Sequence, residues 1–287
     1  MKPEGFEMTS ANIHITDRCN YHCVFCYSRS SSPSAELTPE QWGMKMVDLR
    51  DKGLTKINVV GGEPLLYPRL PEVIRMIKVA GMTSSVVTNG SLVTEDFFVQ
   101  TQGCLDWIGI SLDSVSEETE IRLGRTCRCL AHLDNVRNVV RLARKYGVKV
   151  KLNITVTKLS LDDDFSNLIR RLEPDRVKFM QVTEVKGVNE SGYAAYRITS
   201  EEFEGFRARH ASIMLKNGTS PVFETEQMVA GTYLMLNAEG RIRMNAGAYE
   251  YYDYDQFWEQ KMYMQIDQEG YKERGGNGYW EEKLEQY

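Results

Sequence analysis

The sequence lacks the features that mark several common classes of protein. It has no run of eighteen apolar residues, and its first 17 residues contain no apolar core of a signal peptide. Its 35 Lys and Arg residues are outnumbered by 40 Asp and Glu residues, so no overall basic field attracts nucleic acid or an anionic membrane. Neither a P-loop nor a Rossmann glycine motif occurs. We therefore expect a cytoplasmic monomer without a nucleic-acid or membrane partner.

Cysteine is also scarce, but its distribution is informative. Of the 6 cysteines, three follow closely on one another in a CxxxCxxC pattern: Cys19, Cys23 and Cys26. In a reducing compartment such spacing indicates metal or redox chemistry rather than disulfides. Three thiolates can hold three irons of a [4Fe-4S] cluster and leave the fourth iron open to another ligand. A structural zinc site is the alternative, and it needs a fourth ligand such as His22 or Cys104.

Short runs of β-branched residues alternate with helical patterns over most of the chain. This alternation is typical of βαβ units and a parallel sheet. Six strands are predicted at residues 11–16, 56–60, 84–88, 107–113, 148–157 and 176–182. Helices are predicted between them, and the first begins with a capping box in which Thr38 and Gln41 flank Pro39. A later helix at 201–216 precedes a predicted hairpin with arms 233–236 and 241–245.

Polar and apolar residues alternate within these strands, which sorts the side chains onto two faces. The polar positions of the fifth strand are Lys149, Lys151, Asn153 and Thr155. The same alternation places Asn12, Lys56 and Ser111 on a polar face. A parallel sheet covered by helices on both sides has apolar strands, so one face here surrounds something polar. An antiparallel sheet with one solvated face is the alternative, which the long helical crossovers disfavour.

We therefore predict an α/β protein built on a partial (β/α)6 TIM-like barrel. The polar strand faces line the lumen, and the loops at the carboxyl ends of the strands hold the reactive groups. The barrel is predicted to span residues 1–198 and to carry the cluster. A C-terminal extension, residues 199–287, is predicted to close the substrate pocket with its helix, hairpin and tail. The remaining cysteines, Cys127 and Cys129, are assigned no role.

The cysteine motif resembles the hallmark of the radical S-adenosylmethionine (SAM) superfamily, in which an aromatic residue, here Phe25, precedes the third cysteine. The tetrad Gly61-Gly62-Glu63-Pro64 follows the second strand and looks like the superfamily's turn that contacts the methionine amino group. Two glycines allow close approach of a ligand, and a carboxylate suits an ammonium group. This resemblance implies a [4Fe-4S] cluster and SAM as cofactors, with Gly61, Gly62 and Glu63 near the latter.

Within the superfamily, the chain is similar to the viperin family over nearly its whole length. The similar segments include residues 12–16, 56–58, 89–91, 110–114, 124–125, 151–153, 174–181 and 233–236. The resemblance implies a lyase that removes water from a nucleoside triphosphate in antiviral defence. Its product is the 3'-deoxy-3',4'-didehydro nucleotide, which terminates RNA synthesis. CTP is the expected substrate, UTP and GTP are open, and an electron donor is required.

The viperin resemblance also implies roles for individual residues. The substrate is expected to contact Asn12, Lys56, Arg125, Lys151 and Lys178. SAM is expected to contact Asn89, Ser91, Ser111 and Asn153, in addition to the glycine turn. Tyr233 matches a tyrosine that is proposed in that family to supply the hydrogen needed to complete the reaction, or to shape the ribose pocket. Val60 replaces a serine of the animal members, which removes one polar group beside the cofactor.

Two other functions remain open on sequence grounds. The first is a radical SAM enzyme that acts on a peptide or another small molecule. Such branches usually carry further cysteine clusters after the barrel, and no cysteine follows Cys129. The second is a zinc-binding module without catalysis, which iron content and colour would distinguish from both enzymes.

Overall fold

The computed structural model of the protein describes residues 1–28, 34–126, 131–246 and 248–280. Cys127 and Cys129 lie outside these residues. In the described parts, no helix combines the length and the apolar character needed to cross a membrane.

Ten strands form one sheet in the described residues. They are β1 (Ser10–His14), β2 (Lys56–Val60), β3 (Thr83–Thr88), β4 (Trp107–Ser111), β5 (Lys149–Val156), β6 (Arg176–Gln181), β7 (Val222–Glu224), β8 (Met235–Leu236), β9 (Ile242–Met244) and β10 (Glu250–Tyr252). The spatial order is β10-β9-β8-β1-β2-β3-β4-β5-β6-β7. Strands β1 to β6 run parallel, and neither β7 nor β10 closes the sheet on the other. The predicted partial barrel is confirmed, and the antiparallel alternative is wrong.

Helices connect the strands. They are α1 (Pro39–Asp51), α2 (Leu70–Val79), α3 (Glu95–Gln100), α4 (Glu117–Arg122), α5 (His132–Lys145), α6 (Ser166–Leu172), α7 (Glu190–Tyr196), α8 (Ser200–His210), α9 (Glu226–Val229), α10 (Tyr254–Glu259) and α11 (Gln268–Glu273). Short 3-10 helices occupy Pro64–Leu66 and Met262–Gln265. The predicted helix at 201–216 is too long, because α8 ends at His210.

Helix α1 illustrates how the sequence determines these elements. Its predicted capping box is present, because Thr38 accepts a hydrogen bond from the Gln41 backbone and the Gln41 side chain accepts one from the Thr38 backbone. Trp42, Met46 and Leu49 recur at helical spacing and are completely buried against the sheet and its neighbours. At about 25 cal/mol per Å² of apolar surface, such burial is the main source of stability.

The extension continues the barrel sheet. Strand β7 pairs in parallel with β6, and β8 pairs in parallel with β1, so the extension adds a strand at each edge of the six-stranded core. The predicted hairpin is confirmed, with Met235 opposite Arg243 and Leu236 opposite Ile242. The following residues fold into β10, α10 and α11 and return the chain toward the barrel.

Candidate active site

The polar faces of the barrel strands surround a cavity of about 290 Å³. Its lining includes six polar residues from four strands: Asn12, Asn58, Ser111, Lys151, Asn153 and Thr155. The strand register explains this convergence, because residues paired across neighbouring strands face the same side of the sheet. Asn12 pairs with Asn58, and Asn153 pairs with both Ser111 and Lys178. The prediction of a polar lumen is confirmed.

The three cysteines of the motif lie along one part of this cavity, in the loop that follows β1. Two backbone hydrogen bonds hold this loop, from His22 N to Gly124 O at 3.2 Å and from Val24 N to Leu123 O at 3.1 Å. A Cβ atom on Gly124 would lie 2.3 Å from the His22 carbonyl oxygen, so a larger residue cannot fit there. The end of α4 therefore fixes the cysteine loop.

The glycine turn fixes the other side of the cysteine loop. Gly62 N donates to Thr16 O at 2.7 Å, and Glu63 N donates to Arg18 O at 2.7 Å. A Cβ atom on Gly62 would lie only 2.2 Å from the Arg18 carbonyl oxygen. Gly61 and Gly62 line the cavity. The two glycines thus bring the backbone of β2 close to the segment that carries Cys19.

Glu63 occupies a different position from its neighbouring glycines. Its side chain is completely buried and is absent from the cavity wall. Its carboxylate accepts hydrogen bonds from Leu65 N at 3.1 Å, Thr88 Oγ1 at 2.7 Å and Asn89 N at 2.8 Å. Burial raises the pKa of this carboxyl, and these hydrogen bonds oppose the rise. In the structure Glu63 ties the glycine turn to the end of β3.

Asn89 and Ser91 belong to a closed ring of hydrogen bonds with the cysteine loop. Asn89 Nδ2 donates to Asn20 Oδ1 at 2.9 Å, Asn20 Nδ2 donates to Ser91 Oγ at 2.8 Å, and Ser91 Oγ donates to Asn89 Oδ1 at 2.6 Å. Asn89 lines the cavity, whereas Ser91 lies behind it. The ring joins the end of β3 to the residue that follows Cys19.

The cysteine environment fits an iron-sulfur cluster. Desolvation raises the pKa of the Cys23 thiol to about 12 and that of the more exposed Cys19 to about 11, and a bound cation such as cluster iron favours the thiolate form of both. Backbone N–H groups of Tyr21 and Ser28 lie 3.4 Å from the sulfurs of Cys19 and Cys26. Such donors stabilise cluster thiolates. The cysteine ligands of such a cluster each bind a separate iron, so their sulfurs need not converge on a single point.

The structure does not support the zinc alternative. Within the parts of the chain it describes, no three His, Cys, Asp or Glu side chains are grouped as ligands of a single ion. Cys104 lies beside the start of β3, where its carbonyl oxygen accepts a hydrogen bond from Ser84 Oγ at 2.5 Å. The motif cysteines follow the opposite end of the neighbouring parallel strands. The His22 side chain is exposed and does not line the cavity.

Arg125 lies at the cysteine end of the cavity, although it was grouped with the lysines. Its guanidinium forms a buried ion pair with Asp113, at the carboxyl end of β4. Its charge lowers the pKa of the Cys23 thiol against the larger effect of burial. The structure therefore places Arg125 beside Asp113 and Cys23, and its ion pairs are with Asp113 and Glu120.

A group of cations lines the other end of the cavity, which we call the basic end. Its members are Lys151, Arg176, Lys178 and Arg274. Burial lowers the pKa of Lys151 to about 7, and repulsion from Lys178 and Arg176 adds to that effect. Burial also lowers the pKa of Lys178. Lys151 and Arg274 are buried, and the carboxylate of Glu224, which pairs with Lys178 and Arg274, balances only part of the charge of the four cations.

Lys56 is predicted to join this group, but the C-terminal segment covers it. Lys56 is completely buried, and its Nζ donates to the Tyr279 hydroxyl. The same Nζ lies 4.0 Å from the Tyr279 ring centroid and 4.6 Å from that of Trp280. Tyr279 and Trp280 line the cavity, whereas Lys56 lies behind them.

Tyr233 also lines the cavity and is held from two directions. Its hydroxyl donates to Glu224 Oε2 at 3.1 Å, and the Arg274 guanidinium carbon lies 3.7 Å from its ring centroid. Sequence reasoning missed Arg176, Glu224 and Arg274. Arg176 was detectable, because it has the same strand parity as Lys178. Glu224 and Arg274 lie in the extension, where no pattern in the sequence links them to the barrel.

Comparison with known proteins identifies the family. The profile described as "Radical SAM superfamily" matches residues 13–172, more than half of the chain, and the chain belongs to that superfamily. Among solved structures, Streptococcus suis SuiB bound to S-adenosylmethionine has the same fold, with a TM-score of 0.66 at 14% identity. That match covers 82% of this chain and 59% of SuiB.

Within the superfamily, the chain belongs to the S-adenosylmethionine-dependent nucleotide dehydratases. A protein of that name from the Thermoplasmatales archaeon (strain ISO4-H5) is 39% identical over 238 residues, covering 83% of both chains. Another from Flammeovirga pacifica is 34% identical over 254 residues, covering 85% of this chain and 86% of the relative. The predicted membership, an enzyme similar to the viperin family, is confirmed. The enzyme uses a [4Fe-4S] cluster and SAM, and the zinc-module alternative is wrong.

Proposed function

We propose that this enzyme removes water from a nucleoside triphosphate, giving its 3'-deoxy-3',4'-didehydro analogue, a terminator of RNA synthesis. One observation supports this function above all: a single cavity has the motif cysteines at one end and four cations at the other. The bound cluster and SAM supply a carbon radical able to remove the 4' hydrogen of a ribose. CTP is the first candidate substrate, with UTP and GTP as further candidates.

The cysteine end is the proposed cofactor site. Cys19, Cys23 and Cys26 hold three irons of the cluster. Space for SAM lies beside cavity-lining residues of the neighbouring strand ends: Gly61, Gly62, Asn89, Ser111 and Asn153. Arg125 adds a buried cation there, which suits the SAM carboxylate. Glu63 and Ser91 act indirectly, because they hold the glycine turn and Asn89 in place.

The basic end is the proposed triphosphate site. Lys151, Lys178, Arg176 and Arg274 converge there, and a triphosphate provides the anionic charge that such a group requires. Binding shifts Lys151 toward its charged form, because a nearby anion raises the pKa of an amine. Lys56 joins the site only after Tyr279 and Trp280 move aside.

The ribose and base are proposed to lie between the two ends. Asn58 Nδ2 donates to Asn12 Oδ1 at 3.1 Å, and Asn58 Oδ1 has no hydrogen-bond partner among the described residues. The Oδ1 atom can accept a hydrogen bond from a ribose hydroxyl or from an N–H group of a base. Once the 4' hydrogen is removed, loss of the 3' hydroxyl as water needs one further proton and one electron. Tyr233 lines the same cavity and is proposed to supply both as a hydrogen atom, after which the separate electron donor reduces the tyrosyl radical. Holding the triphosphate at a fixed distance from the cofactor determines which C–H bond is presented.

The two parts of the chain are proposed to divide the work. Residues 1–198 supply the cysteines, the glycine turn and the barrel cations. Residues 199–287 supply Glu224, Tyr233, Arg274 and Tyr279 and close the pocket. The protein is proposed to act as a cytoplasmic monomer and to receive electrons from a separate one-electron donor.

Anaerobic reconstitution tests the proposed function. The enzyme is loaded with iron and sulfide, mixed with SAM and dithionite, and offered CTP, UTP, GTP and ATP separately. 5'-Deoxyadenosine and the dehydrated nucleotide are measured by mass spectrometry. We expect one nucleotide to stimulate 5'-deoxyadenosine formation and to yield the product 18 mass units lighter. Equal background with all four nucleotides would exclude a nucleotide substrate.

A further inference from the structure

Glu224 is the last residue of β7 and contacts two cations of the basic end from behind the cavity wall. Its side chain is completely buried. One oxygen, Oε1, lies 2.5 Å from Lys178 Nζ and 3.4 Å from Arg274 Nη1. The other, Oε2, accepts the Tyr233 hydroxyl hydrogen at 3.1 Å. One carboxylate therefore joins two cations of the proposed phosphate site to the proposed hydrogen donor.

Arg274 completes the support of Tyr233. Its guanidinium lies over the Tyr233 ring and donates to Thr232 Oγ1 and to Thr232 O, each at 2.9 Å. Because Thr232 precedes Tyr233, these bonds fix Arg274 to the backbone that carries the tyrosine. Tyr233 is thus held at its hydroxyl by Glu224 and at its ring face by Arg274.

The charge of Glu224 opposes the function of the surrounding cations. Lys178 and Arg274 hold the pKa of Glu224 down to about 2, although burial raises it, so the group is an anion at neutral pH. A buried anion repels a triphosphate and competes with it for Lys178. A carboxylate in this position opposes triphosphate binding. This cost points to a role for Glu224 in a later step of the reaction.

We infer that Glu224 is a positioning residue that orients the Tyr233 hydroxyl and links it through Lys178 to the phosphate site. This role rests on the dehydration proposed above. Two opposite effects follow from removing its charge. The nucleotide binds more tightly, because the competing anion is gone. Conversion of each attacked nucleotide to product becomes less efficient, because the tyrosine hydroxyl loses its charged acceptor.

The test compares three variants of the reconstituted enzyme. Glu224→Gln removes the charge and retains the size, whereas Glu224→Asp retains the charge and shortens the side chain. Glu226→Gln is the matched control, because Glu226 Oε2 accepts the Tyr193 hydroxyl at 3.0 Å outside the cavity wall. For each variant, the KM for CTP and the ratio of dehydrated nucleotide to 5'-deoxyadenosine are measured, and circular dichroism monitors folding.

For Glu224→Gln we expect a several-fold lower KM and about a tenfold lower product ratio, the loss that follows when a hydrogen bond to a charged group is weakened. Glu224→Asp should lower the ratio without lowering KM, and Glu226→Gln should change neither. An unchanged ratio in folded Glu224→Gln would overturn the inference. If Glu224→Gln fails to fold, an unchanged ratio in Glu224→Asp overturns it instead. Wild-type enzyme that no nucleotide stimulates refutes the proposed function itself, a result distinct from both.

Discussion

Burial of the Lys151 amine lowers the free energy of unfolding of the protein. The side chain is 7% exposed, and burial lowers its pKa to about 7. Its ordinary pKa is about 10.4, so between these values the unfolded chain holds more protons than the folded one. Stability therefore rises with pH over this window, and below it the folded protein carries the full penalty of the buried charge. The proposed triphosphate offsets this penalty, because a nearby anion favours the charged form of the lysine.

Replacing this cation by an apolar side chain of similar length should stabilise the protein. Lys151→Met is expected to raise the free energy of unfolding by about 1–3 kcal/mol at pH 6.5, and the gain should shrink as pH rises from 7 toward 10. The same variant should lose nucleotide-stimulated turnover while it retains the cluster absorbance. Urea unfolding at several pH values measures the stability. Lys149→Met, in the same strand but outside the cavity wall, is the control. A destabilised Lys151→Met would contradict this interpretation.

Two elements that hold the cysteine loop are the end of α4 and the glycine turn after β2. Each contacts the loop through backbone atoms, so their effect depends on the absence of side chains rather than on side-chain chemistry. Gly62 donates to Thr16 O, and Gly124 O accepts from His22 N. These backbone contacts hold the loop on both sides, which reduces the ordering required when the cluster forms.

Gly62→Ala tests this role of the turn. The added Cβ would lie 2.2 Å from the Arg18 carbonyl oxygen, so backbone must shift and Cys19 must shift with it. We expect a loss of about 1–3 kcal/mol of stability and reduced iron per chain. Gly205→Ala is the control, because nothing lies within 4 Å of its added Cβ and alanine favours helix α8 by about 1 kcal/mol. Thermal unfolding and iron analysis measure the two effects. Full iron content in Gly62→Ala would show that the turn does not position the cysteines.

Strand parity predicted much of the candidate site, and its limits are physical. Alternation within β5 identifies Lys151 and Asn153 as cavity residues, because strand geometry fixes which side each residue faces. Parity cannot report what covers a side chain. Lys56 has the expected orientation but lies behind Tyr279, more than two hundred residues later in the chain. Glu224 and Arg274 are equally unpredictable, since their positions depend on how the extension packs on the barrel.

The C-terminal extension contributes residues to the candidate site together with the barrel. It adds β7 beside β6 and β8 beside β1, and it then returns through α10 and α11 to the beginning of the barrel strands. Lys56 and Trp107 begin β2 and β4, and Tyr279 contacts both of them. The segment at Tyr279 and Trp280 therefore closes the barrel at the end opposite the cysteines. Substrate entry at that end requires this segment to move.

Amine labelling measures whether this cover is the barrier that protects Lys56. Burial lowers the pKa of Lys56 well below its usual value, which favours the uncharged, nucleophilic form of the amine once a reagent reaches it. We expect Lys56 to resist an acylating reagent in the wild-type protein and to react at least about tenfold faster in Tyr279→Ala/Trp280→Ala, since local opening limits access to buried groups. Lys216, whose side chain is 75% exposed, should react equally in both proteins. Mass spectrometry of proteolytic peptides gives the rates. Equal labelling of Lys56 in both proteins would show that the C-terminal segment does not seal the barrel. If CTP restores the protection of Lys56 in the double variant, Lys56 is part of the phosphate site.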